Sequence, residues 1–167
     1  PKAYLTIAGD GPESDILRNM VSTLNICDRV NFLGSIPNNH LAEHYRRATV
    51  FVAPFVQAET GDMDGLGLVT IEAIACGCPV IVCDLPSTAD IFSNAYHDQR
   101  VRQKDPLDLA EKIVHVLSNS EEFRTRSQTL RESLIQRYDW SRITQRHADY
   151  IRECINDAHL AGPETDR

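Results

Sequence analysis

A chain of 167 residues has room for one domain with a full core, and its formal charge of −7 speaks against the clustered Lys and Arg of a nucleic-acid binder. Its 42% apolar and 25% charged residues are ordinary for a globular protein. No apolar run approaches the roughly 20 residues that span a bilayer, and the first residues lack the basic and apolar pattern of a signal peptide.

Lys2 to Ala8 already reads as a strand, with no initiator Met ahead of it, so the chain is expected to be part of something longer, cut upstream. The run "AYLTIAG" closes on the turn signal "GDGP", and Pro12 can open a helix running to about Leu24, with Ile16, Leu17, Met20, Val21 and Leu24 on one face. "RVNFLG" (Arg29–Gly34) is the second predicted strand, His40–Arg47 a short helix, and "ATVFVAP" (Ala48–Pro54) the third strand. A long loop rich in Gly and acids, Phe55–Gly67, leads into a helix over Leu68–Cys76 stopped by Gly77. "PVIVCD" (Pro79–Asp84) is the fourth strand and Arg100–Gln103 a weaker fifth. Three helical segments follow from Asp105, ending in the polar tail "AGPETDR".

Strands alternating with helices imply right-handed crossovers and a Rossmann-like parallel sheet with helices on both faces, an α/β fold. Ligands of such folds bind outside the carboxyl ends of the strands. That places the loops Gly9–Pro12, Gly34–Asn38, Pro54–Gly67 and Asp84–Thr88 on the functional edge. Five cysteines (Cys27, Cys76, Cys78, Cys83, Cys154) have no framework spacing, and three lie in apolar stretches, which suggests reduced, buried thiols and a cytoplasmic setting.

Three stretches could carry chemistry. "GDGPES" has two glycines in dinucleotide-fingerprint context, but Ser14 stands at the third glycine position and Pro12 removes an amide, so a plain turn explains it better. "HLAEH" (His40–His44) matches one metalloprotease pattern, yet the α/β context offers no third ligand, and an exposed polar helix face accounts for it. "DGLGLVTIEAIACG" is the strongest. Gly65 and Gly67 let backbone approach a ligand, and the amides of Leu68, Val69 and Thr70 point out of a helix N-terminus that suits an anion. Glu72 and Asp64 stand on either side, each able to reach a hydroxyl-bearing group. A merely stabilising acidic cap would explain one acid, but not the two glycines and the acidic loop as well.

"DGLGLVTIEAIACGCPVI" resembles the E-x7-E signature of group 1 (family 4) retaining GT-B glycosyltransferases, supported in order by "LTIAGDGP", "RVNFLGSIP", "ATVFVAPF" and "DWSRITQRHADYI". The resemblance covers about Lys2 to Ile155. It implies that residues 1–157 are the C-terminal, donor-binding half of a GT-B fold with a truncated N-terminal edge, and that residues 158–167 are a polar tail. It implies Asp64 and Glu72 as the catalytic acids, on donor-sugar and ribose hydroxyls respectively. Backbone matching Gly65, Leu66, Gly67, Leu68 and Val69, together with the Thr70 amide, would serve sugar and diphosphate, with Ile36 along the base. The implied partners are a nucleotide-diphosphate sugar of UDP or GDP type, a missing N-terminal GT-B domain, and an acceptor glycan or lipid. No cofactor and no metal are implied. The implied task is hexosyl transfer in polysaccharide biosynthesis, in the cytoplasm or at a membrane surface, with the isolated fragment inactive.

This chain departs from the pattern in having Asp64 rather than Glu, and "LPSTAD" in place of a glycine pair after the fourth strand. The basic Arg/Lys pair that neutralises the diphosphate would lie upstream of Pro1. The rival readings are a stand-alone, non-catalytic nucleotide-sugar-binding module, and a GT-B-like epimerase that would need acid/base residues this stretch does not show.

Overall fold

The computed structural model describes residues 3–57, 67–89, 91–92 and 94–160. In chain order the elements are β1 (Leu5–Ala8), α1 (Ser14–Thr23), β2 (Val30–Gly34), α2 (Asn38–Arg47), β3 (Phe51–Ala53), α3 (Leu68–Ala75), β4 (Val80–Cys83) and α4 (Pro86–Ala89). A 3-10 turn at Asn94–Gln99 then leads into β5 (Arg100–Val101), α5 (Pro106–Ser118), α6 (Ser120–Tyr138) and α7 (Trp140–Leu160). The expected elements are all present, with ends shifted by a few residues. Pro12 lies ahead of α1, whose N-cap is Glu13, so the proline belongs to the turn rather than to the helix.

Local chemistry sets the boundaries. The Asp105 carboxylate accepts the Asp108 amide at 3.0 Å, and Pro106 follows as the first helical residue, so α5 starts there. At the end of α3, Gly77 takes φ +75°, its amide donates to the Ile74 carbonyl, and the Cys78 amide donates to Ala73. This paired bonding stops the helix and turns the chain directly into β4.

All strand pairing is parallel, as expected, but the sheet comes in two pieces. β1 pairs with β2, and β3–β4–β5 form a separate three-stranded sheet. Every residue of β4 is buried, so both of its faces are covered. Val80 and Val82 pack with Ala73 and Ile74 of α3, Leu130 and Leu134 of α6 and Tyr45 of α2. Ile81 and Cys83 pack on the opposite face with Val101, Val116 of α5 and Phe123. No residue of β1, α1 or β2 is buried, and none contributes to either cluster.

Cys78 and Cys83 are buried, Cys76 is half-buried, and Cys27 and Cys154 are exposed; all five are free thiols. Burial pushes the Cys78 thiol up to about 11. No helix among the described residues is long and apolar enough to cross a membrane.

Candidate functional site

The candidate site gathers at the start of α3, beyond the carboxyl end of β3. Gly67, the N-cap residue, takes φ +59°, a left-handed conformation that costs other residues free energy. A side chain here would also collide, because a Cβ on Gly67 would lie 3.0 Å from Phe55 Cε2 and 3.3 Å from Thr70 Oγ1. Glycine is thus required both by conformation and by the aromatic ring beneath it.

From that cap the helix presents its first amides. The Thr70 amide donates to the Gly67 carbonyl at 2.8 Å, and the Thr70 side chain is buried. Among the described residues no acceptor takes the amides of Leu68 and Val69, which leaves that pair at the helix mouth. Leu68 is 69% exposed, unusual for a leucine in an apolar helix, and marks the open end of α3.

Glu72 lies one turn further along and is exposed. Its Oε2 lies 3.5 Å from the Tyr45 hydroxyl, which donates to it from α2. Burial first, and the Glu72 charge second, push the Tyr45 phenol up to about 12. Tyr45 therefore stays protonated and remains a donor at the side of the carboxylate. Sequence reasoning missed this residue because pattern does not separate a tyrosine that only packs from one that also offers its hydroxyl; Tyr45 packs in the core while its hydroxyl reaches the site. Phe55, placed in a loop by its sequence, was missed in the same way.

Of the other expected site residues, Ile36 is half-buried in the turn after β2. Asp64, Gly65 and Leu66 lie outside the described residues. Gly67, Leu68, Val69, Thr70 and Glu72 share one helix end, and Ile36 follows the end of β2 in the other sheet. His40 and His44 are both exposed on α2, and among the described residues no group of three or more His, Cys, Asp or Glu side chains could hold a metal ion.

Comparison with known proteins gives this geometry its context. A family model described as "Glycosyl transferases group 1" matches residues 1–133. The gpi3 subunit of phosphatidylinositol N-acetylglucosaminyltransferase from Schizosaccharomyces pombe is 27% identical over 146 residues, 87% of this chain and 30% of that protein. The GDP-mannose-dependent alpha-(1-6)-phosphatidylinositol monomannoside mannosyltransferase of Mycobacterium tuberculosis is 26% identical over 90% of this chain and 39% of its own length. The chain thus spans well under half the length of these relatives. Among solved structures, HepE of Anabaena in complex with UDP superposes with a TM-score of 0.78 at 20% identity, covering 92% of this chain and 42% of that one. Sucrose-phosphate synthase from Thermosynechococcus elongatus gives 0.74 at 26% identity, over 92% and 39%. With its family match, its parallel α/β fold and its GT-B neighbours, the chain belongs to the group 1 glycosyl transferases.

Proposed function

We propose that this chain is the donor-binding half of a retaining hexosyltransferase that uses a nucleotide-diphosphate sugar. The observation that carries the reading is the mouth of α3, where a glycine cap, two outward amides and an exposed carboxylate converge at a strand's carboxyl end. Helix N-terminal amides suit the diphosphate, whose negative charge grows as the sugar departs. Glu72, steadied by Tyr45, accepts hydrogen bonds from the ribose hydroxyls, and Asp64 is assigned to the hydroxyls of the sugar. UDP is named for the Anabaena structure and GDP-mannose for the mycobacterial relative, so the nucleoside diphosphate is the shared class. The acceptor, a glycan or lipid, and the basic pair facing the diphosphate are assigned to a further domain.

The test is calorimetric titration of the chain with UDP and with GDP, comparing wild type and Glu72→Ala. Losing a charge-assisted hydrogen bond of about 1.5–3 kcal/mol weakens binding by roughly ten- to a hundredfold. Because Glu72 is exposed, the melting temperature should hold. Equal affinity in the two proteins defeats the assignment. So does sugar transfer by this chain alone at a full enzyme's rate, since orienting the acceptor needs a second binding surface.

A further inference from the structure

Two carboxylates of this chain are held in opposite ways. Arg126 donates to both oxygens of Asp98 and so occupies the positions from which that group could accept from a ligand. Glu72 is held by a single neutral donor, the Tyr45 hydroxyl, which lies 3.5 Å from Oε2. Among the described residues no Lys, Arg or His forms an ion pair with Glu72, and none donates a hydrogen bond to its Oε1. The carboxylate thus keeps one oxygen uncommitted and has one restraint.

That restraint is stiff. The Tyr45 ring is 6% exposed, belongs to the core cluster with Ala73, Ile74 and Val80, and meets the Phe51 ring edge-on at 5.2 Å. Core packing therefore fixes where the hydroxyl sits. Glu72 is its one hydrogen-bond partner among the described residues, so packing alone would be served equally well by phenylalanine. Glu72, by contrast, is an exposed side chain on freely rotating bonds, and left alone it would swing toward whatever donor is offered. A separation of 3.5 Å is long for an O–H···O bond, and such contacts shorten when ligand donors draw the carboxylate into place.

We infer that Tyr45 is a positioning residue that makes the donor site discriminate ribose from 2′-deoxyribose, by tethering one oxygen of Glu72 so that the carboxylate cannot re-aim. The inference rests on the assignment of Glu72 to the ribose hydroxyls proposed above. A ribose offers two adjacent hydroxyls, and a carboxylate held at one oxygen meets both in a single fixed orientation. When one hydroxyl is absent, the tethered group cannot follow the other, and a charge-assisted hydrogen bond is lost in full. An untethered carboxylate turns toward the hydroxyl that remains and recovers part of the loss. The tether also raises affinity for the ribose form, because fewer side-chain rotamers are given up on binding. Its clearest mark is therefore the ratio of ribose to deoxyribose affinity.

The experiment is calorimetric titration of the 167-residue chain with UDP, GDP and their 2′-deoxy forms, in wild type, Tyr45→Phe, Glu72→Ala and the double variant. Wild type should prefer the ribose forms by roughly tenfold or more. Tyr45→Phe should cut that preference to about threefold, chiefly by weakening the ribose forms. Its melting temperature should hold, because the ring and its packing remain. Glu72→Ala should abolish the preference, and adding Tyr45→Phe to it should change nothing further. A merely structural tyrosine would behave otherwise: ribose and deoxyribose forms would weaken together, and the two substitutions would add. That pattern overturns the inference. So does a Tyr45→Phe ratio equal to that of wild type, or a wild type that binds both forms alike. The two readings fail separately. Glu72→Ala binding UDP and GDP as wild type does defeats the donor site and the inference with it, whereas Glu72-dependent binding with an unmoved ratio in Tyr45→Phe removes only the role given to Tyr45.

Discussion

The two sheets of this chain are built from similar strands and reach opposite states of burial. β4 carries Val80, Ile81, Val82 and Cys83, all essentially inaccessible, with helices on both faces. β1 carries Leu5, Thr6, Ile7 and Ala8, an equally plausible buried strand, and none is buried. The difference lies in neighbours rather than in composition: β4 is flanked by two strands and four helices pack over its sheet, whereas among the described residues β1 has one strand beside it. Apolar burial supplies roughly 25 cal/mol for each Å² removed from water, so the second sheet holds most of the free energy that keeps this chain folded. The first sheet is positioned chiefly by its own ladder and by Arg18, whose guanidinium stacks 4.4 Å from the Phe32 ring centre.

The largest effect should come from the better-packed side. Phe123 of α6 is fully buried with Ile81, Leu85 and Val116, meets His115 edge-on at 5.3 Å, and carries the Arg126 guanidinium 4.8 Å above its ring. Phe123→Ala removes all of these contacts and leaves a cavity, with an expected loss of about 3–5 kcal/mol in urea unfolding. A loss below about 1 kcal/mol would mean that this half is no better packed than the other.

Next comes the ion pair that ties α6 to the turn before β5. Arg126 donates two hydrogen bonds to Asp98, at 2.6 and 2.7 Å, and a third to the Ala95 carbonyl at 2.9 Å. The Arg126 hydrogen bonds, more than its charge, hold the Asp98 carboxyl below its usual range. Folding therefore favours the ionised form, so the pair contributes its stability above the unfolded carboxylate pKa and loses it as pH falls through the folded one. Arg126→Met should cost about 1.5–3 kcal/mol at neutral pH, in a site less than a quarter exposed. That cost should shrink as denaturation is repeated at more acid pH. A cost that stays constant down to pH ~3 would assign the loss to packing on Phe123 and Tyr96 instead.

How much of this was legible from residues alone follows the same divide. The apolar run Pro79–Asp84, the Gly77 stop and the Pro106 start carry their physics locally, and each lies within a residue or two of where it was expected. The helix mouth at Gly67 was legible for the same reason, because a glycine before an apolar helix signals backbone that side chains cannot adopt. The break between β1 and β3 was not, since strand order depends on pairing across the whole chain and hydrophobic pattern says nothing of which edges meet. Tyr45 was hidden because one side chain does two things at once, packing by its ring and donating by its hydroxyl. Along α7, Trp140, Tyr150, Ile151 and Ile155 are exposed and Ile143 is half-buried.

The smallest effect is the sharpest check on the unburied side. Met20 sits mid-helix on α1 with more than half its surface in water. Truncating a buried methionine to alanine costs about 2–5 kcal/mol through lost burial and the cavity left behind. Where the side chain is already wet, neither loss applies in full, and alanine's better helix propensity returns a few tenths of a kcal/mol. Met20→Ala in the 167-residue chain should therefore change unfolding free energy by no more than about 0.5 kcal/mol in either direction. Leu130→Ala, the matched truncation on α6, lies under 5% exposed in the first core cluster and should show the full buried cost. The ratio of the two costs measures the asymmetry between the sheets directly. If Met20→Ala were to cost as much as Leu130→Ala, α1 would already be covered in this chain, and the contrast between a packed half and a bare one would have to be given up.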